Sequence, residues 1–178
     1  MSWIQTRLGN KFDFLHPHES VIDITEIAHA LSLICRFTGH VSSFYSVAQH
    51  SVHVSLALCN ESIEVQMCGL LHDAAEAYVG DVSLPLKRLL PNYKAIEKDV
   101  EHAVFSAFGL PHILHASIKR ADLVMLATER RDLMPTSEDT WDVLEGIEPQ
   151  PSSITSWSPD QARVRFLERY FYLKGVQP

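Results

Sequence analysis

A mostly α-helical single domain with a short β-hairpin at its N-terminus is the fold that this sequence predicts. Three observations carry the prediction. Apolar residues recur at helical spacing along most of the chain after Asp23. Ser, Asp and Gly punctuate these stretches where helix caps belong. Strict polar/apolar alternation is confined to the stretch around Gly9-Asn10. A chain of 178 residues, 46% hydrophobic and 21% charged, has the composition of one globular unit, so residues 1–178 are read as one domain.

The elements follow in order. "WIQTRLGNKFDFL" (3–15) reads as a hairpin turning at Gly9-Asn10. Ile24, Ile27, Ala28, Leu31 and Ile34 give the first helix, opened by an Asp23/Glu26 capping box and running to about Phe37 before Gly39 breaks the chain. Ser46 and Gln49 form a second capping box ahead of "VAQHSVHVSLALC", a helix that ends by Asn60. Ser62 opens a third helix, which stops near Gly80. "DVSLPLKRLLPN" is a loop and turn punctuated by Pro85 and Pro91; a fourth helix covers about 93–108, and a long one about 112–134. Residues 135–158, with Pro135, Pro149 and Pro151, read as a surface excursion. Ser158-Pro159 with Gln161 starts the last helix, which ends at Gly175.

The bulk properties exclude several classes. A formal charge of −7 argues against gripping a nucleic-acid polymer, because that mode needs a basic face to release counterions. The apolar runs are too short to cross a bilayer, and residues 1–20 lack a secretory pattern, so a cytoplasmic protein is expected. Cys35, Cys59 and Cys68 form no CxxC pair and are read as reduced core residues.

The chemistry concentrates in "LLHDAAEAYVGD" (70–81), where His72, Asp73, Glu76 and Asp81 enter a stretch otherwise fit for burial. On a helix His72 and Glu76 share a face and Asp73 lies about a quarter turn round. A plain His–Glu pair with Asp73 on the surface would also satisfy that spacing. Two further residues distinguish the readings: His50 sits mid-helix in an apolar segment, and Asp122 interrupts "ADLVMLA". Buried alone, an imidazole and a carboxylate would each be costly. A divalent metal removes that cost, and two histidines with two carboxylates suit zinc, cobalt, manganese or iron with positions left for water.

The ordered set His50, His72-Asp73, Asp122 resembles the HD superfamily of metal-dependent phosphohydrolases. "HDAAEAYVGDVSLPLK" resembles, more narrowly, the bacterial 5′-deoxynucleotidases and the phage triphosphohydrolases of deoxynucleoside triphosphates. The likeness extends from about Asp23 to Arg130. It implies an HD-domain helical bundle with His50, His72, Asp73 and Asp122 as metal ligands. Glu76 would partner the attacking water or the leaving oxygen, and Asp81 would support that centre.

The same resemblance puts Arg36, Lys87 and Lys119 at phosphate-binding positions, with magnesium as a further cation on the substrate phosphates. Helical geometry independently puts Lys119 on the face of Asp122. Phe37 stands where the family often has a tryptophan against the base; a core role fits it equally. Thr38 and Gly39 replace a bulky aliphatic residue of the phage enzymes that act on deoxyadenosine triphosphate, which leaves adenine selectivity open. The first expectation is hydrolysis of a deoxynucleoside triphosphate, deoxyadenosine triphosphate foremost, to deoxynucleoside and triphosphate. The alternatives are a 5′-deoxynucleotidase acting on monophosphates and a metal-dependent nucleotide-binding module without turnover. The partners expected are a small deoxynucleotide and further copies of the chain, as homo-oligomer.

Overall fold

The computed structural model describes residues 1–176. Strands β1 (Trp3–Gln5) and β2 (Lys11–Asp13) pair antiparallel in the register Trp3↔Asp13, Ile4↔Phe12, Gln5↔Lys11. Gly9 supplies the turn with a φ of 86°, a conformation open to residues without a Cβ. A 3₁₀ turn, Pro17–Glu19, leads to α1 (Ile24–Leu33), α2 (Val47–Ala57), α3 (Ile63–Leu71), the one-turn helices α4 (Glu76–Val79) and α5 (Leu84–Lys87), α6 (Pro91–Phe108), α7 (Ala116–Leu133) and α8 (Pro159–Lys174). The fold is thus all-α with a small hairpin. α2 is at the centre, packed against α1, α3, α7 and α8.

Burial explains this placement. Val47, Ala48 and Val52 of α2 join Ile27 and Leu31 of α1, Leu70 and Leu71 of α3, and Phe166 of α8 in one core. Val54 and Leu58 meet Cys68, Ile118, Ala121 and Met125 in a second, between α2, α3 and α7. Helices α2 and α3 approach closely at Gly69, where a Cβ would come within 2.4 Å of Leu58 Cδ1. Phe12 of the hairpin is fully buried and stacks on Tyr78 with ring centroids 3.9 Å apart, so the hairpin is part of the core.

Several boundaries differ from the sequence reading. The first helix stops at Leu33, not Phe37, because Cys35 becomes extended and bridges to Ser46, with Arg36 N–H donating to Tyr45 O at 2.9 Å. Phe37 and Thr38 then take left-handed conformations, both at φ 55°, within the 3₁₀ turn Arg36–Gly39. The third helix is not continuous to Gly80: residues 72–75 wind more tightly, with Ala74 N–H bonded to Leu71 O and Glu76 N–H to Asp73 O. Part of the expected loop after Asp81 is α5, for which Pro85 supplies a prearranged φ, and Pro91 starts α6 two residues early. The long helix begins at Ala116, where the His115 ring accepts from Ser117 N–H. Of the cysteines read as core, Cys68 is buried, Cys35 is half-buried and Cys59 is exposed. No described helix is long and apolar enough to cross a membrane.

Candidate metal centre

Three elements bring four side chains to one point. His50 comes from the middle of α2, His72 and Asp73 from the tight turn after α3, and Asp122 from α7. His50 Nε2 lies 3.4 Å from His72 Nε2, 3.4 Å from Asp122 Oδ1 and 3.5 Å from Asp73 Oδ2. His72 Nε2 is 3.2 Å from the same Asp73 oxygen. Ligand atoms of His50, His72 and Asp122 all lie within 4.8 Å of one another.

The hydrogen bonds on the far sides of the two rings fix what these nitrogens present. His72 Nδ1 is 2.8 Å from the carbonyl oxygen of Gly69, which only accepts, so Nδ1 carries the proton. His50 Nδ1 is 2.6 Å from Glu129 Oε1 and donates to that carboxylate. In the neutral rings both Nε2 atoms therefore turn lone pairs toward each other, with two carboxylates beside them. Four electron-rich atoms so close repel unless a proton on one ring or a metal ion lies between them. Imidazole and carboxylate donors in this mixture suit a divalent transition metal, and the outer hydrogen bonds are those that orient metal-binding histidines.

Charge elsewhere in the site is balanced in pairs. Arg36, buried, donates from Nε to Glu129 Oε2 at 3.1 Å, and its Nη1 lies 3.6 Å from Asp73 Oδ2. Lys87 Nζ is 2.5 Å from Glu97 Oε1 and 3.7 Å from Glu76 Oε1. Lys119 Nζ bonds Asp122 Oδ2 at 2.8 Å from an exposed position. Burial would raise the Asp73 and Asp122 carboxyls, but His72 and His50 hold both below the ordinary carboxylate range. Burial and Arg36 oppose a proton on His50; Glu129 and Asp122 outweigh them and raise it to about 9.

Glu76 is in a different electrostatic position. It is 6% exposed, its Oε2 has no hydrogen-bond partner, and burial, Asp73 and Asp81 push its carboxyl well above the usual range. The tight winding of 72–75 contributes to this. Where the chain approaches three residues per turn, positions three apart come into line, so Asp73 rather than His72 is the neighbour of Glu76 expected from such winding. Asp81 is raised chiefly by burial, with Arg36 opposing.

Nine of the ten residues singled out in the sequence thus belong to one charged cluster. Phe37 stands at its edge, half-buried, with its ring 5.4 Å from the Arg36 guanidinium and 6.2 Å from Trp141. His53, one turn from His50, packs instead on Trp157 at 5.1 Å. Sequence reasoning missed Glu129, which is fully buried and joins His50 to Arg36. Its one signal was seven-residue spacing from Asp122, which puts both carboxylates on one face of α7.

No family model matches the chain. It is 43% identical over 173 residues to the Escherichia coli K12 protein YfdR, an alignment covering 96% of this chain and 94% of that one. The chain belongs to the YfdR family. A protein of Rhodobacter capsulatus is 32% identical over 188 residues, covering 97% of this chain and 95% of its own length. Both are named as uncharacterized proteins, so membership of the YfdR family brings no activity with it.

Proposed function

We propose that this chain is a metal-dependent phosphohydrolase of 2′-deoxynucleotides. One observation carries the reading: the Nε2 atoms of two histidines face each other at 3.4 Å between Asp73 and Asp122, beside a buried carboxyl with a raised pKa. The deoxynucleotide comes from the resemblance of the 72–87 stretch to the HD-type deoxynucleotidases.

His50, His72, Asp73 and Asp122 would hold the ion. When bound, a divalent metal supplies Lewis acidity that brings the pKa of water towards about 7. Glu76 takes the proton from the attacking water through its unpartnered Oε2 and returns it to the departing nucleoside oxygen, a role suited to a buried carboxyl whose pKa is raised. Burial, with the nearby Asp73 and Asp81 carboxylates, raises it. Arg36, between Asp73 and Glu129, is positioned to meet the phosphoryl oxygens with the guanidinium N–H groups these two leave free.

The number of phosphates divides two versions of this reading. Arg36, Lys87 and Lys119 are each already paired with carboxylates, which supports a 5′-monophosphate ahead of the triphosphate expected from the resemblance. The triphosphate reading keeps one supporting observation: Lys119 is 71% exposed and held by one contact, so it is free to swing to outer phosphates. Incubating the protein with each deoxynucleoside mono- and triphosphate plus Co²⁺ or Mn²⁺, and identifying orthophosphate, pyrophosphate or triphosphate, tests both. No product from any of them would reject phosphohydrolysis. Homo-oligomerisation belongs to the same proposal, and light scattering checks it.

A further inference from the structure

We infer that Glu97 sets the length of phosphate chain this site accepts: by holding the Lys87 ammonium it withholds that cation from phosphoryl groups beyond the first. The inference rests on the phosphohydrolase reading and deepens it.

The Lys87–Glu97 pair is the shortest ion pair of the cluster, at 2.5 Å. Its side chains are only 21% and 19% exposed, so water and salt screen it less than a surface pair. Glu97 lies beside the Tyr93 hydroxyl, one turn earlier on α6, which has a single proton to share between Gly80 O at 3.1 Å and Glu97 Oε1 at 3.4 Å. Tyr93 thus links α6 to the turn that carries Asp81. On its other side Lys87 faces Glu76 at 3.7 Å. The ammonium is held between two carboxyl groups.

The next turn of α6 adds a like charge. Glu101 follows Glu97 by four residues and therefore shares its face. Burial, Glu97 and Asp73 all raise the Glu101 carboxyl, which puts it within electrostatic reach of the centre. α6 thus borders the centre with the carboxyl groups of Glu97 and Glu101, the first of which neutralises Lys87 of α5. A single phosphoryl group met by the metal and Arg36 need not approach that wall. A chain of three has to leave the centre in some direction, and toward α6 it meets like charge, which disfavours a partner strongly.

A simpler role for the pair is to fasten α5 to α6, and the experiment separates the two. Protein loaded stoichiometrically with Mn²⁺ is titrated calorimetrically with orthophosphate and with inorganic tripolyphosphate, bound metal being assayed afterwards. Glu97→Gln, which frees Lys87 and removes one negative charge, is expected to raise tripolyphosphate affinity relative to orthophosphate by about fivefold or more. Glu97→Asp should return the ratio toward wild type, and adding Lys87→Met to Glu97→Gln should cancel most of the gain. A merely structural pair would lower the melting temperature of Glu97→Gln and leave the ratio where it was. That outcome, or equal changes for both anions, overturns the assignment to Glu97 while phosphate binding stands. Failure of both anions to bind wild type and every variant overturns the phosphohydrolase reading together with this one.

Discussion

Glu129 accepts a hydrogen bond from His50 Nδ1 at 2.6 Å and, through its other oxygen, one from Arg36 Nε at 3.1 Å. A fully buried carboxylate with these two partners fixes the tautomer of the histidine and the fork of the arginine together. Glu129→Gln keeps the shape and removes the charge. Partners of metal-binding histidines are worth about 10–100-fold in metal affinity, and that loss is expected in a Mn²⁺ or Co²⁺ titration. Removing one partner of a buried ion pair costs about 3 kcal/mol, so the melting temperature should fall as well. Unchanged metal affinity would leave Glu129 a structural residue only.

A metal ion bound at His50 Nε2 would compete with a proton there, and this competition has a sign. Its folded-state value of about 9 lies above the ordinary histidine value of 6.5, so at pH 7 the proton must leave before a metal can bind. Apparent metal affinity should rise about tenfold per pH unit toward pH 9 and level off above it. In protein stripped of metal the same raised value gives stability that is full below about 6.5 and is lost as pH rises through about 9. Metal titrations at several pH values check the first part, and a flat profile from pH 7 to 9 would contradict it.

Glu76 tests the proton path separately from metal binding. Glu76→Gln leaves a group of the same size but removes the carboxylate proposed as the base, and it relieves the repulsion with Asp73 and Asp81. Turnover of the deoxynucleotide should fall about 10²-fold or more, with metal retained and stability equal or higher. Loss of metal in this variant would make Glu76 a ligand, and undiminished turnover would remove it from the reaction.

The sequence made legible what depends on local period and chemistry, and it left hidden what depends on where a side chain is finally used. The His50, His72, Asp73 and Asp122 set was readable because ionisable groups stood out in apolar helical stretches. The capping boxes show the limit. Asp23 and Ser46 cap their helices as expected, accepting from Glu26 N–H and Gln49 N–H. Only Ser158–Gln161 completes the reciprocal bond, however. Glu26 turns away to bind Thr6 and Leu8 of the hairpin, and Gln49 turns to the segment before α8. A capping-box pattern names the two residues; competing tertiary partners decide the second bond. The pairing of Lys87 with Glu97 was hidden for the same reason, since it needs the turn of α5 that the prolines disguised as a loop.

Gln49 gives the last prediction. It is fully buried, accepts from Trp157 N–H at Oε1 and donates from Nε2 to Thr155 O, both at 2.8 Å. These bonds hold the end of the 135–158 excursion against α2. Thr128 and Asp132 of α7 hold it at Gln150 N–H and Ile154 N–H. Gln49→Leu preserves volume but leaves two backbone groups facing an apolar side chain. Each buried group left unsatisfied costs about 1–3 kcal/mol, and because the segment can loosen toward water the total should be about 2–4 kcal/mol. Faster amide hydrogen exchange at 154–157 than in α7, with a lowered melting temperature, is the expected result. Because His50 is held from its other side by Glu129, metal affinity should move far less than in Glu129→Gln. Exchange as slow as in the parent protein would mean that the α7 contacts alone secure the segment.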